Sequence, residues 1–505
     1  MSPLRAWPLL VRLVVAAGLG ALAATGLAPF DLWYLTCIAL VLLPLIYCTS
    51  ERAAPAAWLG WFFGFGYFAL ALAWIVEPFF VDAARHGWMA PFALGLLAGG
   101  LALFWAVAFW AAAGFGRTPV ARVLALVLIW AVVEAVRARI FTGFPWAAPG
   151  QIWVQTDVAR LLAFIGPDGL NLVTLTITLP LGLVLLPQSR RGLLGFAVAP
   201  AMLCIAVLVI VPSPPVEVKM TGKTVRLVQP NAPQQQKWDP EHIPVFFHRQ
   251  NEFTAAEPKP DLVVWPEAAL ANRVEGVLDP LARIAEAANG AQVALGVLRP
   301  DADGFYNTLL RLDEKGAPNG VYDKHHLVPF GEYLPFGGFL ERIGLNALAQ
   351  VVPSGMLAGP APGLIEFGEL GRALPLICYE AVFAPLVSSV PERADFLLQI
   401  TNDAWFGEWS GPYQHLAQAQ MRAIEQGVPM VRVANTGVSA MIDPYGRIMG
   451  EIPLGQAGYV DLGLPAPLTP TIYAKYGEIP LLFVVFLCFF ALCAHRMDVI
   501  GLNKD

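Results

Sequence analysis

Three polar side chains in the second half of this chain follow or border short apolar runs. Glu267 follows a run that begins at Leu262, Cys378 follows one that begins at Leu374, and Lys324 stands just before an apolar turn. A side chain at the end of a buried strand emerges at the edge of the sheet, partly desolvated, as a catalytic group requires. Each feature also has an ordinary explanation: a carboxylate that caps the next helix, an exposed ion pair, and a cysteine buried in the core.

Together the three residues supply a thiol nucleophile, a carboxylate base and a fixed cation. In acyl transfer, the carboxylate of Glu267 would take the proton of the Cys378 thiol, and the thiolate would attack an acyl carbonyl. The Lys324 ammonium and a backbone N–H would then stabilise the oxyanion. A thioester reacts readily with amines, so a cysteine suits a reaction whose final acceptor is an amine.

The segment around these residues alternates short β-branched runs with helical patterns, which predicts an α/β domain whose strand ends carry the site. Turn sequences at 443–446 and at Asn319-Gly320 predict hairpins. The predicted strands are 225–229, 262–265, 293–297, 374–378, 396–400 and 431–433, and the predicted helices are 243–256, 280–288 and 415–425.

The rest of the chain is far more hydrophobic. Of its 505 residues, 57% are hydrophobic and 14% charged, whereas soluble proteins average about 25% charged residues. A helix that spans a membrane needs ~20 apolar residues. We therefore predict a transmembrane region with seven helices over 1–212, a catalytic domain over 213–476, and an eighth helix with a short tail over 477–505. The predicted spans are 8–28, 32–49, 56–76, 89–113, 120–137, 168–187, 193–212 and 479–495.

The distribution of basic residues predicts which side of the membrane the domain occupies. Arginines that place both termini in the cytoplasm are Arg5, Arg52, Arg117, Arg190, Arg191 and Arg496. Arginines that argue the other way are Arg85, Arg137, Arg139 and Arg160. On balance the domain lies outside the cytoplasm, and the first segment is a retained helix rather than a cleaved signal peptide.

The cysteines agree with a reactive role for Cys378. Of the six cysteines, Cys378 alone falls outside the predicted membrane helices. It therefore has no partner for a disulfide within an extracytoplasmic domain, and is either buried and inert or kept for its reactivity.

These motifs resemble the nitrilase superfamily and, within it, the apolipoprotein N-acyltransferases of the bacterial inner membrane. Besides the segments around Glu267, Lys324 and Cys378, the resemblance includes Gln229-Pro230-Asn231 and Thr401 to Gly407. It also includes Arg432 and Asn435-Thr436-Gly437, as well as the arrangement of eight spans around one soluble domain. The resemblance implies a nitrilase-like αββα sandwich with a Glu–Lys–Cys triad.

The resemblance further implies a ping-pong reaction. An acyl chain would leave the sn-1 position of a membrane phospholipid, typically phosphatidylethanolamine, and form a thioester on Cys378. It would then pass to the α-amine of the diacylglyceryl-cysteine that begins an apolipoprotein. The implied roles are Glu267 as general base, Lys324 as oxyanion donor and Cys378 as nucleophile. The implied supporting residues are Glu332, which would hold Lys324, and Tyr379 and Glu380, which would shape the acyl pocket. The implied substrate-binding residues are Trp238, Asn402, Trp405 and Phe406.

Several expectations concern partners. A net charge of −6 argues against nucleic acid, and no histidine pattern or glycine-rich loop indicates a metal or a nucleotide cofactor. We expect a monomer in the inner membrane. The apolar segment 334–362 is expected to form a lid, unless its side chains pack the core. Glu134 and Arg137 are expected to make polar contacts between helices rather than to bind lipid headgroups. A membrane-tethered amidase that uses water as acceptor is the main alternative. A transporter or sensor with an outer binding domain is a more distant alternative.

Overall fold

The computed structural model of the protein describes residues 3–116, 118–186, 217–271, 279–335 and 355–501. The chain divides into two compact units. The helical unit contains the described residues up to 186, with Trp409–Ala417 and 471–501; the α/β unit contains 217–408 and Gln418–Pro470. The domain boundaries predicted from the sequence, 1–212, 213–476 and 477–505, stay a prediction.

The helical unit is built from apolar helices, as the sequence predicts. Its main helices are α1 (Leu9–Ala24), α2 (Trp33–Tyr47), α3 (Ala53–Ala71), α4 (Ala83–His86), α5 (Ala90–Phe115), α6 (Pro119–Arg137) and α7 (Leu162–Thr178). Among the described residues, four helical stretches are long and apolar enough to cross a membrane: Ala53–Ala71, Ala83–Phe115, Pro119–Arg137 and Asp157–Leu185. Shorter apolar helices are Leu9–Ala24, Trp33–Tyr47 and Ile479–Phe490. The predicted span 193–212 lies outside the described residues, so the number of eight spans stays a prediction.

Small residues let the helices of this unit pack closely. A methyl group on Gly20 of α1 would overlap the carbonyl of Phe63 in α3, and one on Gly66 would overlap the carbonyl of Ala17. Glycine at these positions therefore brings the two backbones into direct contact, as is common between membrane helices.

The two charges predicted inside the membrane region pair with each other. Arg137 Nη2 lies 2.7 Å from Glu134 Oε2, and both side chains are buried. Glu134 also accepts a hydrogen bond from Trp105 Nε1, and Arg137 donates to the carbonyl of Trp146. Every charge in this group has a partner, so the structural role expected for these two residues is confirmed.

A second buried polar centre of the helical unit is Gln414. Its Oε1 accepts hydrogen bonds from the indole N–H groups of Trp74, at 3.2 Å, and Trp146, at 2.7 Å. Its Nε2 donates to the carbonyls of Ala28, at 3.1 Å, and Ala71, at 3.0 Å. One side chain thus joins its own segment to three other parts of the chain, around Ala28, around Ala71 and Trp74, and around Trp146.

The α/β unit contains two sheets packed face to face. The first has the order β13-β1-β2-β3-β4-β5 with β6 beside β4, and the second has the order β12-β11-β10-β9-β8-β7. The first-sheet strands are β1 (Met220–Gln229), β2 (Leu262–Val264), β3 (Gln292–Asp301), β4 (Gly304–Leu312), β5 (Pro318–Asp323), β6 (Met356–Leu357) and β13 (Gly458–Pro465). The second-sheet strands are β7 (Ile365–Glu366), β8 (Arg372–Ile377), β9 (Phe396–Thr401), β10 (Met430–Ala434), β11 (Ser439–Ile442) and β12 (Ile448–Ile452).

The alternation of side chains along each strand explains the layers. In β1, Val225 and Leu227 point into the core between the sheets, where they meet second-sheet residues such as Phe396. Val228 points the other way, into a second core that includes Phe247 and Ile284. The remaining helices are α8 (Ile243–Ala255), α9 (Pro280–Ala288), α10 (Ala384–Ser388), α11 (Gly411–Gln426), α12 (Ile472–Tyr476) and α13 (Ile479–Gly501). Because α8 and α9 contribute Phe247 and Ile284, they cover the outer face of the first sheet.

All six predicted strands and all three predicted helices of this domain are present, with small differences at their ends. The predicted hairpin at 443–446 is confirmed, since it joins β11 to β12. The predicted turn at Asn319-Gly320 is wrong, because these residues lie within β5. The turn comes earlier, where the N–H of Gly316, with φ +83°, donates to the carbonyl of Asp313. Pairing with β4 outweighs the turn preference of the Asn-Gly pair.

Candidate active site

The three residues that the sequence selects follow three strands and converge in the α/β unit. Glu267 follows β2, Lys324 follows β5, and Cys378 follows β8 of the opposite sheet. Lys324 Nζ lies 3.9 Å from Glu267 Oε1. The loop of Cys378 is joined to that of Lys324, because Glu380 accepts hydrogen bonds from the N–H groups of His325 and His326. The structure therefore places a carboxylate, an ammonium and a thiol in one site.

The carboxylate of Glu267 is held on both of its oxygens. Asn307 Nδ2 donates to Oε1 at 2.6 Å, and the main-chain N–H of Asn402 donates to Oε2 at 2.7 Å. Glu267 is only 6% exposed. Its position beside the amine of Lys324 is thus determined by two further strands, β4 and β9.

The turn that carries Glu267 has an unusual backbone. Ala268 has φ +46°, in the left-handed region that non-glycine residues rarely adopt. A Cβ on Gly296 of β3 would lie 2.5 Å from the carbonyl oxygen of Pro266 and 2.7 Å from the Cα of Glu267. The turn can approach β3 only because residue 296 is glycine.

Lys324 is a buried cation. Its side chain is fully buried, and its Nζ lies 2.8 Å from Glu332 Oε1. Glu332 is itself held by the N–H of Val328, which donates to Oε2 at 2.7 Å. Burial lowers the pKa of Lys324, but the charges of Glu332 and Glu267 outweigh burial and raise the pKa above its ordinary value. The alternative of an exposed ion pair is therefore wrong.

Cys378 sits at a sharp turn between β8 and a short 3-10 helix, with φ +55°. Burial raises the pKa of its thiol, the charge of Glu267 raises it further, and the charge of Lys324 opposes them. The thiol is therefore protonated at neutral pH and needs a base to become a nucleophile.

A chain of hydrogen bonds holds the main chain of this turn. The carbonyl of Cys378 accepts from Gln399 Nε2 at 3.2 Å, and Gln399 Oε1 accepts from Arg432 at 2.6 Å. Arg432 is also paired with Asp403, and both side chains are fully buried. The motif residue Arg432 thus acts on the site through the backbone of Cys378.

Glu380 ties the lysine and cysteine loops together. Its Oε2 accepts from the N–H of Ile377 at 2.7 Å, and its Oε1 accepts from the Tyr322 hydroxyl at 2.9 Å. The same Oε1 accepts from the N–H groups of His325, at 2.8 Å, and His326, at 3.1 Å. Glu380 is fully buried, so its contacts are those of a residue that holds two loops in register.

Aromatic side chains surround these loops. The rings of Tyr379 and Phe383 meet edge to face, with their centroids 4.9 Å apart, and the His326 ring lies 4.1 Å from that of Phe383. Burial lowers the pKa of His326 to about 4, and the charges of His325 and Lys324 lower it as well. His326 is therefore neutral at physiological pH and behaves as part of an apolar wall.

The residues predicted to bind substrate fall into two groups. Trp238 and Trp405 are 39% and 40% exposed, and Phe406 is partly exposed. The side chain of Asn402 is engaged: its Nδ2 donates to Gln234 Oε1 and its Oδ1 accepts from Asn435, both at 2.8 Å. Of the predicted lid over 334–362, residues 336–354 lie outside the described residues.

Three further residues of the site lie outside the predicted motifs. Asn307 lies within β4, Gly296 within β3, and Lys237 directly before the motif residue Trp238. The amine of Lys237 donates to the main-chain carbonyl of Glu267 at 3.0 Å. The one hint in the sequence is the position of Lys237 directly before Trp238, which the family resemblance selects.

Comparisons with known proteins cover nearly the whole chain. Residues 223–468 match the family model described as carbon-nitrogen hydrolase, and residues 19–179 match that of the apolipoprotein N-acyltransferase N-terminal domain. The apolipoprotein N-acyltransferase of Rhodopseudomonas palustris is 38% identical over 94% of this chain and 94% of its own. That of Brucella suis biovar 1 is 37% identical over 83% of this chain and 82% of its own. Among solved structures, a CN-hydrolase superfamily protein of Xanthomonas campestris aligns over 48% of this chain and 90% of its own, at 22% identity and a TM-score of 0.35.

Proposed function

This chain belongs to the apolipoprotein N-acyltransferase family, and on that basis we propose that it acylates lipoproteins through a thioester on Cys378. The donor is a membrane phospholipid, with phosphatidylethanolamine as the expected headgroup. The acceptor is the free α-amine of an N-terminal diacylglyceryl-cysteine. The observation that carries the proposal is the convergence of Glu267, Lys324 and Cys378 at three strand ends.

In the first half-reaction, Glu267 takes the proton of the Cys378 thiol and the sulfur attacks the sn-1 ester carbonyl. The carbonyl oxygen becomes an oxyanion, which the Lys324 ammonium and a backbone N–H stabilise. The ester C–O bond then breaks, and Glu267 returns the proton to the glycerol oxygen. The products are a lysophospholipid and an acyl-enzyme.

In the second half-reaction, the acceptor amine attacks the thioester carbonyl and Glu267 takes a proton from the amine. The C–S bond breaks, and the sulfur leaves as a thiolate, which regains its proton from Glu267. Because the hydrogen bonds from Asn307 and Asn402 hold Glu267 in place, the same carboxylate can act as base and acid in both halves.

The location of the protein follows from the substrates. Both carry acyl chains whose removal from a bilayer costs roughly 0.8 kcal/mol per CH₂, so the active site has to work at a membrane surface. The apolar helices make this a membrane protein. We further propose the bacterial inner membrane, both termini in the cytoplasm, the catalytic unit on the outer face, and a monomeric state.

Mass spectrometry of the acyl-enzyme tests the proposal. The purified full chain is incubated with phosphatidylethanolamine vesicles that carry a labelled sn-1 chain, without an acceptor. We expect one labelled acyl group on Cys378, which hydroxylamine removes because it cleaves thioesters. A diacylglyceryl-cysteine peptide added afterwards should take up the label.

Two results would contradict the proposal. The first is the absence of an adduct on Cys378, or an adduct that persists in the control variant Cys378→Ala. The second is an adduct that water removes as fast as the acceptor peptide does, because a hydrolytic amidase would behave in that way.

A further inference from the structure

A second buried lysine lies beside the proposed base. Lys237 is 7% exposed, and its Nζ donates to the main-chain carbonyl of Glu267 at 3.0 Å. It lies in the loop that follows β1 and lines a pocket with Trp238, Pro266 and Ala268. Lys324 contacts the carboxylate end of Glu267, whereas Lys237 contacts its backbone.

The carbonyl that Lys237 holds belongs to the strained turn. It lies in the peptide bond that joins Glu267 to Ala268, whose φ is +46°. A non-glycine residue in this region is strained and persists only where its surroundings determine it. Contacts with Gly296 hold the turn on one side, and the ammonium of Lys237 holds its carbonyl on the other.

The charge of Lys237 also reaches the reacting groups. Burial lowers the pKa of Lys237 to about 8, while the charge of Glu267 and, once the thiol is ionised, the thiolate of Cys378 act to raise it. The groups that act on Cys378 are in turn Glu267, Lys324 and Asp403. Lys237 is therefore a cation at pH 7 and becomes neutral above about pH 8.

We propose that Lys237 is a positioning residue for acyl transfer, which fixes the turn of Glu267 and keeps a second positive charge beside Glu267 and Cys378. When the proton moves from the thiol to Glu267, the negative charge moves from the carboxylate to the sulfur. A fixed cation that acts on the sulfur lowers the free energy of the thiolate relative to the thiol, and it does so without moving. This inference rests on the proposed function.

The test compares Lys237→Met with Lys315→Met, which makes the same change at an exposed lysine of the same unit. The rate of acyl-adduct formation from phosphatidylethanolamine vesicles is measured without acceptor between pH 6 and pH 9.5. For Lys237→Met we expect a rate at pH 7 at least about tenfold lower, because a displaced base loses part of its ~100-fold or larger contribution. The dependence on lipid concentration should not change, and Lys315→Met should behave as the natural protein.

The pH profile separates positioning from mere structural support. In the natural protein the rate should fall above about pH 8, as Lys237 loses its proton, and this fall should be absent in Lys237→Met. A natural rate and profile in Lys237→Met would overturn the inference. So would a slower rate that still falls above pH 8, because the charge would then play no part.

Two further measurements keep the outcomes distinct. If thermal unfolding shows that Lys237→Met does not fold, Lys237→Gln, which keeps an N–H donor without the charge, replaces it. The fall in rate above pH 8 should again be absent, and the loss of rate at pH 7 should be smaller. If the natural protein itself forms no adduct, the proposed function fails. If the natural protein forms one and Lys237→Met matches it, the inference alone fails.

Discussion

Cys378 and Lys324 are held in opposite charge states by their surroundings, the first neutral and the second charged. The thiol is kept protonated by burial and by the charge of Glu267, while the charge of Lys324 opposes both. Lys324 in turn stays charged because Glu332 and Glu267 surround it. The resting site therefore holds a neutral thiol, and in the proposed mechanism the reaction begins only when Glu267 accepts its proton.

The fit of Lys324 predicts the effect of a conservative change. Its side chain is fully buried, with Nζ 2.8 Å from Glu332 and 3.9 Å from Glu267. The planar guanidinium of Lys324→Arg is larger and cannot occupy the place of an ammonium. We expect adduct formation on Cys378 to fall by at least about 100-fold, in line with the loss of one oxyanion donor.

The matched control for this change is Lys219→Arg, at an exposed lysine directly before β1. This variant should form the adduct at the natural rate. An active Lys324→Arg variant would count against the oxyanion role, since a shifted guanidinium could not present the same donor to the carbonyl oxygen.

At the scale of elements, the turn after β2 depends on its neighbour β3. The Cβ of Gly296→Ala would lie 2.5 Å from Pro266 O and 2.6 Å from Ala268 N, both main-chain atoms. These atoms cannot rotate away as a side chain would, so the turn that carries Glu267 has to shift. We expect a loss of about 1–3 kcal/mol in the free energy of unfolding and an adduct-formation rate at least about tenfold lower, because small displacements of catalytic groups cost large factors in rate.

Gly363→Ala serves as the control for this change. No described atom lies within 4 Å of a Cβ at that position, so both stability and adduct formation should stay close to those of the natural protein. Natural activity in Gly296→Ala would show that the turn tolerates displacement.

The strands themselves were predictable, and so was the place of Glu267 and Cys378 at the ends of two of them. Apolar, β-branched runs predicted β2, β8 and β9, and the polar residue after such a run identified Glu267 and Cys378. Asn307 and Gly296 were not predictable, because each matters through a neighbouring strand that folding brings to it. The Asn-Gly pair in β5 misled for the same reason, since strand pairing decides its conformation.

For the whole molecule, one polar segment shows what hydrophobicity alone does not reveal. The segment Trp409–Ala417 contains polar residues and follows a soluble-type sequence, yet it groups with the membrane helices. It does so because Gln414 completes the hydrogen bonds of two tryptophan indoles and two main-chain carbonyls. Composition describes the average environment of a segment, whereas these contacts depend on individual atoms.

This arrangement predicts a difference between two glutamines of one helix. Gln414→Leu leaves four buried polar groups without their partner, and each such group costs about 1–3 kcal/mol. We expect a large fall in the temperature of half-unfolding of the detergent-solubilised protein, measured by scanning fluorimetry.

The control lies one turn further along. Gln418 is also buried, but neither of its side-chain polar atoms has a hydrogen-bond partner among the described residues. Gln418→Leu should therefore be neutral or stabilising, because it removes polar atoms that burial disfavours. Equal losses in the two variants would mean that the contacts of Gln414 do not stabilise the helical unit.

The place of Trp409–Ala417 also bears on how a gene of this kind can change over generations. A recombination event that replaced 217–470 by another α/β sequence would remove the glutamine that Trp74, Trp146 and two carbonyls require. The helical unit would then lose these hydrogen bonds, although the exchange would not change any codon of its helices before residue 217. The two halves of the gene are expected to vary together, and a hybrid assembled from two relatives should keep 409–417 from the parent that supplies its helices.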